Sequence, residues 1–485
     1  MQLYDKDLLS VQEVRELVEK AKTAQVELSK KSQSDVDEIV KSISIAGVRN
    51  ARRLAAMANE ETGFGIVDDK MIKNIFASKG VYEYIKNMRT IGELSFDEKT
   101  NVRAVAVPVG VIAGLVPSTN PTSTALYKAM ISIKAGNAIV FSPHPSALNC
   151  ILETVKVIRQ AIAEAGADEN LVSCITIPTM QATENLMRHP DIALILATGG
   201  SAMVRSAYSS GTPAIGVGPG NGPSYIEKTA DLKLAVKRIM DSKTFDNGTI
   251  CASEQSVICD EDMEEAVVYE MKRQGAYFLN DEDKKKLGEF ILRANGTMNP
   301  MIVGKSVSTI AKLAGIKVPN SARVLVARED GIGRGHPYSN EKLAPILAFF
   351  VVKDYKEACD LSCEILHYEG AGHTFSMHTT NKDMVQYFYK RIPASRIVVN
   401  TPSSLGGIGG TTGLMPALTL GCGAIGGSAT SENVGPLDLL NTRYIAYGIK
   451  ELEEIRNESK IGDEKINSLP IDEIVRLIVK QLETA

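Results

Sequence analysis

Neither sign of charge is in excess in this sequence: 54 basic residues against 58 acidic ones leave a formal net charge of −4. That gives no electrostatic case for a nucleic-acid partner. No apolar run reaches the roughly 18 residues a membrane span needs, so none is expected. The N-terminal stretch MQLYDKDLLSVQEVRELVEK is charged throughout and lacks the apolar core of a signal peptide. A disulfide framework is absent too. The seven cysteines, Cys150, Cys174, Cys251, Cys259, Cys359, Cys363 and Cys422, are odd in number and scattered, as expected of reduced thiols in a cytoplasmic protein. Cys359 and Cys363 share a helix face but have no two further ligands nearby. They read as helix cysteines, and no metal site is expected. There is no internal repeat.

What is present is an ordinary globular balance, 44% hydrophobic and 23% charged over 485 residues, enough for two or three domains. The first hundred residues read as helices. SVQE at Ser10 has the form of a capping box, and Ser34 opens a second helical pattern. From Val102 the text turns β-rich, and strand-like and helix-like runs then alternate. YKAMISIKAG reads as helix, NAIVF as strand, NCILETVKVIRQAIAEAG as helix, VSCITI and DIALILAT as strands, SAMVRSAYSSG as helix. This alternation predicts an α/β fold with parallel sheets under helices. A second β/α block runs over about 241–421, ending in the glycine-dense SSLGGIGGTTGLMPALTLGCGAIGG.

Three places carry chemistry. In TFDNGTICASEQSVI (244–258), Cys251 follows the turn signal Asp-Asn-Gly and precedes what reads as the first turn of a helix or strand. A nucleophilic thiol needs nearby positive dipoles to lower its pKa; the alternative is a packing cysteine. Asn120, in LVPSTNPTST, leaves a strand where ligand groups collect in α/β sheets. Its amide could serve a developing oxyanion, or Asn-Pro could be only a turn. DIALILAT followed by Gly199-Gly200 and a helix start could present N–H groups to a phosphate, or be a tight turn without a ligand.

Taken jointly, these motifs resemble the aldehyde dehydrogenase superfamily, and within it the CoA-acylating branch. The residues are PSTNPT (117–122), FSPHPSA (141–147), ATGG (197–200), AIGVGPGN (214–221), FDNGTICASEQ (245–255), EGAGHT (369–374) and TLGCGAIGG with SENVGP (419–436). The likeness covers about 34–448 and is greatest to the aldehyde half of aldehyde–alcohol dehydrogenases and to acylating aldehyde dehydrogenases of bacterial microcompartments. It implies two Rossmann-like three-layer αβα domains plus a small oligomerisation element. Residues 1–240 would be the nucleotide-binding domain with a helical N-terminal part, 241–421 the catalytic cysteine domain, and 422–449 a return to the first domain and oligomerisation. A homodimer or homotetramer is implied.

The resemblance also implies roles. Cys251 matches the nucleophile, and Asn120 the oxyanion donor working with the Cys251 backbone N–H. Thr119, Thr198, Gly199, Gly200, Ser201 and Gly218 fall on the NAD-facing turns. Ser142, Pro143 and His144 form a loop near the adenosine ribose, with Ser142 where a lysine is usual. Glu341 matches the glutamate that holds the nicotinamide ribose, although its Phe-Gly neighbours are Leu-Ala here. His373 is either structural or tunes the thiol or CoA. Hydrolytic members keep a glutamate in Glu-Leu-Gly-Gly; the stretch GVGPGN here has no carboxylate, so water attack on a thioester should be slow. The implied reaction is reversible oxidation of a short-chain aldehyde, acetaldehyde or propionaldehyde foremost, with NAD and CoA, through a cysteine thioester. Acylating succinate semialdehyde or sulfoacetaldehyde dehydrogenase and a hydrolytic enzyme are the alternatives. The choice of NAD or NADP stays open.

The tail completes the sequence. Ten of the sixteen residues 450–465 are charged, predicting a solvated linker over 450–469. In 470–485, Ile471, Ile474, Val475, Ile478, Val479 and Leu482 make one helical apolar stripe. Such a helix packs on its own enzyme, or docks in a partner's groove. It is similar to the encapsulation peptides that bind microcompartment shell proteins, which would place the enzyme inside such a compartment.

Overall fold

The computed structural model describes residues 5–293, 296–457 and 470–483. One compact unit comprises Met1–Thr90 and Pro108–Asn441, and a second comprises Ile91–Val107 and Thr442–Ala485. The first opens with helices Lys6–Leu28 and Gln33–Thr62. Neither starts where the capping patterns predicted. Asp5 caps the first, accepting from the N–H groups of Asp7 and Leu8 at 2.9 and 3.0 Å. Ser10 lies a turn further on, and its hydroxyl bonds Thr179 Oγ1 at 2.7 Å. Ser32, not Ser34, caps the second through a capping box with Asp35. A third helix, Val67–Ile75, runs through a π turn, Phe76–Gly80, into Val81–Ile85.

Two parallel sheets follow. The five-stranded sheet has the order Val172–Cys174, Ala138–Pro143, Val111–Val116, Ile192–Thr198, Ala214–Val217. Its central strand, Val111–Val116, is buried throughout, and helix Pro121–Lys134 beside it is buried along its whole length. That is why both read as near-continuous apolar runs. The seven-stranded sheet has the order Ala276–Phe278, Val324–Arg328, Ile346–Val352, Glu254–Asp260, Gly222–Ile226, Gly372–His378, Ala394–Val399. Every paired neighbour in it is parallel.

The boundary expected at residue 241 therefore moves. Gly222–Ile226 pairs with Glu254–Asp260 and with Gly372–His378 in the middle of the second sheet. The chain passes from the last strand of the first sheet to the second through 218–221 alone. A five-residue strand broken by Pro223 gave too little pattern to separate it from the block before it.

In the second unit, Gly92–Asp97 pairs antiparallel with Val102–Pro108, and Leu440–Ala446 lies on the other side of Val102–Pro108. The expected return over 422–449 is thus divided: residues up to Asn441 belong to the first unit. Most of the predicted linker, 458–469, lies outside the described residues. The tail helix is Ile471–Glu483, and Ile471, Val475, Ile478 and Val479 of its stripe are exposed. Among the described residues no helix is long and apolar enough to cross a membrane.

Candidate active site

The site is built where two sheet edges meet. Loops leaving the C-terminal ends of the first sheet's strands supply Thr119 and Asn120, His144, Thr198 to Gly200, and Gly218. Segments entering the N-terminal ends of the second sheet's strands supply Cys251 and Glu341. All of these, with Ser142 and Pro143, line one cavity of about 370 Å³. Of the predicted site residues only Ser201 stands apart. It lines a second cavity of about 340 Å³ with Glu369, Cys422 and Gly426, and Gly218 and Pro219 border both.

Cys251 is half-buried in a turn between the 3-10 segment Phe245–Gly248 and strand Glu254–Asp260. Asp246, Asn247 and Gly248 take φ of 48°, 53° and 75°, a left-handed run that Asp, Asn and Gly tolerate best. A strand follows the cysteine, so no helix N-terminus acts on it. Its thiol is pushed up to about 12, first by burial and then by the Glu341 carboxylate and Cys422, with Arg396 opposing. The expectation of a thiol lowered by a helix dipole is corrected accordingly: the resting site holds a protonated thiol.

Asn120 is the N-cap of helix Pro121–Lys134, with Pro121 at the first helical position. An N-cap asparagine normally turns its side chain onto its own helix, but this one does not. Its Oδ1 accepts from Lys73 Nζ at 2.5 Å. Its Nδ2 donates to Thr249 O at 3.2 Å, two residues before Cys251, and lies 3.3 Å from Thr119 Oγ1. The local fold gives up a cap to aim this amide at the cysteine segment.

Glu341 Oε1 accepts from Gly220 N at 2.8 Å, while its own N–H donates to Glu369 Oε2 at 2.7 Å. Burial and the Glu369 charge push its carboxyl up to about 8. The next residue is pinned by Gln255, whose Oε1 accepts from Lys342 N at 3.2 Å. Leu343, also on the cavity wall, has φ 47°, backbone strain of the kind that collects at functional sites. Gly218 carries no carboxylate, and a Cβ there would meet nothing within 4 Å. A carboxyl held protonated to about pH 8 on a backbone N–H is a weak base at neutral pH. The cavity therefore has no strong base for water.

The remaining groups have plainer parts. Ser142 bonds Thr183 Oγ1 at 2.9 Å. His144 is exposed on the rim, and its Nδ1 takes the Ser146 N–H at 3.2 Å. His373 is buried, with Nδ1 3.0 Å from Thr374 Oγ1 and no hydrogen-bond partner at Nε2 among the described residues. Burial and Arg396 push it down to about 3, so the ring is neutral. Helix Ser201–Tyr208 starts at Gly200 with no side-chain cap, leaving first-turn N–H groups for an anion. Neither Gly199 nor Gly200 would bring a Cβ within 3.5 Å of a neighbour. This open glycine edge, an uncapped helix start and a nearby glutamate suit a dinucleotide's pyrophosphate and ribose.

Two buried cations here escaped the sequence reading. Arg396 donates to Gly421 O at 2.6 Å and His373 O at 2.9 Å, tying EGAGHT to the glycine-rich segment beside Cys251. Lys73 meets Asn120 from the helix Val67–Ile75. A basic residue buried on a strand or helix looks the same in sequence as a solvated one.

The sequence pattern of the aldehyde dehydrogenase family matches residues 3–411. The chain belongs to the aldehyde dehydrogenase family. Among curated relatives, it is 44% identical over 442 residues to the bifunctional aldehyde-alcohol dehydrogenase of Escherichia coli K12, covering 90% of this chain and 50% of that one. The chain thus spans about half the length of the first curated relatives it matches. It is 37% identical to an acetylating succinate-semialdehyde dehydrogenase of Clostridium kluyveri, over 90% of this chain and 96% of that one. Among solved structures of aldehyde dehydrogenases, a probable one from Listeria monocytogenes superposes with TM-score 0.92 at 61% identity, covering 93% of this chain and all of that one. A propionaldehyde dehydrogenase from a Clostridium phytofermentans fucose-utilisation microcompartment gives 0.82 at 28%, over 90% and 98%. A Rhodopseudomonas palustris propionaldehyde dehydrogenase, solved with CoA bound and a cysteine acylated, gives 0.81 at 29%, over 90% and 97%.

Proposed function

We propose that this chain is a CoA-acylating aldehyde dehydrogenase that converts a short-chain aldehyde, acetaldehyde or propionaldehyde foremost, to acyl-CoA. One observation carries the reading. Cys251 and Asn120 share a cavity in which Gly218 stands where hydrolytic members keep their base. The nicotinamide nucleotide, NAD in this reading, supplies the hydride acceptor. Thr198 to Gly200 and the start of helix Ser201–Tyr208 hold its phosphates, and Glu341 leaves Gly220 to hold its ribose.

The chain's own groups do the rest. The Cys251 thiol loses its proton as substrate enters, and the sulfur adds to the aldehyde carbonyl. Asn120 Nδ2 and the Cys251 N–H stabilise the oxyanion, and loss of hydride leaves a thioester on Cys251. CoA attacks that thioester as its thiolate, releasing Cys251 and the acyl-CoA. Water competes poorly because no strong base faces the acyl group. The structure with CoA and an acylated cysteine supports this order for a relative.

The test is NADH formation across a panel of aldehydes, with NAD or NADP, with and without CoA. Without CoA a single burst and a stall are expected; steady turnover at a comparable rate would move the reading to the hydrolytic alternative. Succinate semialdehyde and sulfoacetaldehyde belong in the panel, because relatives named for each match this chain. A homodimer or homotetramer is proposed alongside, to be read from mass in solution. We also propose that the tail helix docks on shell proteins, since its apolar side chains Ile471, Val475, Ile478 and Val479 are exposed and a relative comes from a microcompartment. A fluorescent protein carrying 466–485 should co-sediment with shells; a reporter left wholly outside would make the tail structural.

A further inference from the structure

The helix Val67–Ile75 is amphipathic the wrong way round. Ile72 is exposed, while Lys70, Lys73 and Asn74, at positions i, i+3 and i+4, are 2%, 1% and 0% accessible. A buried stripe at that spacing is normally apolar, and burying ammonium groups is costly unless they are paired.

The stripe is aimed at the two segments that carry Asn120 and Cys251. Lys70 Nζ donates to Thr119 O and to Asp246 Oδ2, each at 3.1 Å. Lys73 Nζ donates to Asn120 Oδ1 at 2.5 Å and to Thr249 Oγ1 at 3.3 Å, and it pairs with Asp246. Asn74 Oδ1 accepts from Thr122 Oγ1 at 2.8 Å. Asp246 is anchored in turn. Its Oδ1 accepts from Ile66 N at 2.7 Å, and its own N–H donates to Asp69 Oδ2 at 2.8 Å. A Cβ on Gly65 would fall 1.8 Å from Asp246 Oδ1, so glycine there makes room for the carboxylate. Burial works against the charged Asp246, but Lys73 and Lys70 outweigh it and hold the carboxyl below its usual range.

An amide can flip, exchanging its donor and acceptor ends. An ammonium can only donate. With Lys73 on Oδ1, the N–H end of Asn120 has to point the other way, toward Thr249 and the cysteine turn. A charged donor on Oδ1 also draws electron density from the amide and makes its N–H groups better donors.

We propose that Lys73, held by Asp246, is a positioning residue that locks the Asn120 amide with its N–H end toward the oxyanion formed on Cys251. The proposal rests on the reading of Asn120 as oxyanion donor. Lys73→Met leaves Lys70 to balance Asp246, so no buried carboxylate is stranded.

The test is the rate of the NADH burst without CoA in wild type, Lys73→Met, Asn120→Ala and the double variant, with NAD affinity and melting temperature for each. Lys73→Met should slow the burst on the order of tenfold or more, as loss of part of an oxyanion donor's effect, with NAD affinity unchanged. In the Asn120→Ala background the same substitution should cost less than about threefold, because residues acting as one unit are not additive. Lys73→Gln keeps one N–H for Oδ1 and should recover part of the rate; if Lys73→Met fails to fold, Lys73→Gln replaces it in the cycle. Full additivity, or equal losses for Met and Gln that track melting temperature, would overturn the inference alone. A loss below about threefold for Asn120→Ala by itself would overturn the oxyanion reading and this inference with it.

Discussion

Replacing Glu341 by Gln should make the protein more stable as pH rises, while impairing it as an enzyme. The carboxyl is pushed up to about 8 from an ordinary 4.5, by burial and by Glu369. Above the ordinary value the unfolded chain releases this proton and the folded chain keeps it. The folded state then binds more protons, and stability falls as pH rises from about 4.5 to about 8. Each pH unit in that window costs about 1.4 kcal/mol, so between about pH 5.5 and pH 7.5 the wild type loses about 2–3 kcal/mol through this group. Gln can still accept from Gly220 N and has no proton to lose. Calorimetry of both proteins at those two pH values is the assay. The variant's Tm should gain about 2–3 °C on the wild type between them, for a chain this size. A Tm gap that does not change with pH would refute the reasoning, because the carboxyl would then titrate alike in both states. The same variant should bind NAD more weakly if Glu341 holds the ribose.

Other outcomes follow from the same geometry. Cys251→Ala should abolish turnover, whereas Ala or Ser at Cys150, Cys174, Cys259, Cys359 or Cys363 should keep it; activity in Cys251→Ala would sink the mechanism. Gly220→Ala would bring a Cβ to 2.2 Å from the Cys251 carbonyl oxygen. It should cost the burst rate a hundredfold or so, as a displaced nucleophile does, and a near-normal burst would show that the turn can yield. Deleting 466–485 should leave kcat unchanged, and unfolding of the truncated protein would show that the tail packs on its own chain.

Much of the architecture was legible because parallel strands buried on both faces write themselves as short apolar runs. DIALILAT, NAIVF and APILAFFVV became the strands expected of them. The turn before Cys251 was legible because Asp-Asn-Gly is the cheapest way to build three left-handed residues. Other parts could not be read. SEQSVICD has the mixture of a helix start, and only its place between two strands of the second sheet makes it a strand. Ser10 and Ser34 carried good capping patterns, but the chain had better caps at Asp5 and Ser32. Ser201 follows the right turn and opens onto the other cavity. Lys70, Lys73 and Arg396 were invisible for one reason: pairing inside the protein replaces water without changing the letter in the sequence. A dipeptide such as Ile72-Lys73 gives no sign of which residue faces in.

The meeting of the two sheet edges has a mechanical consequence. Asn120 rides on the five-stranded sheet and Cys251 on the seven-stranded one. If the two layers swung like the jaws of a clamp, the donor and the sulfur would part. The ion cluster of Lys70, Lys73 and Asp246 sits at the pivot of that swing and rivets one jaw to the other beside the reacting atoms. Opening for exchange of one nucleotide product for the next acyl acceptor must then come from the far rim, around Gly199, Gly200 and His144, while the pair that makes and breaks the carbon–sulfur bond keeps its spacing through the whole cycle.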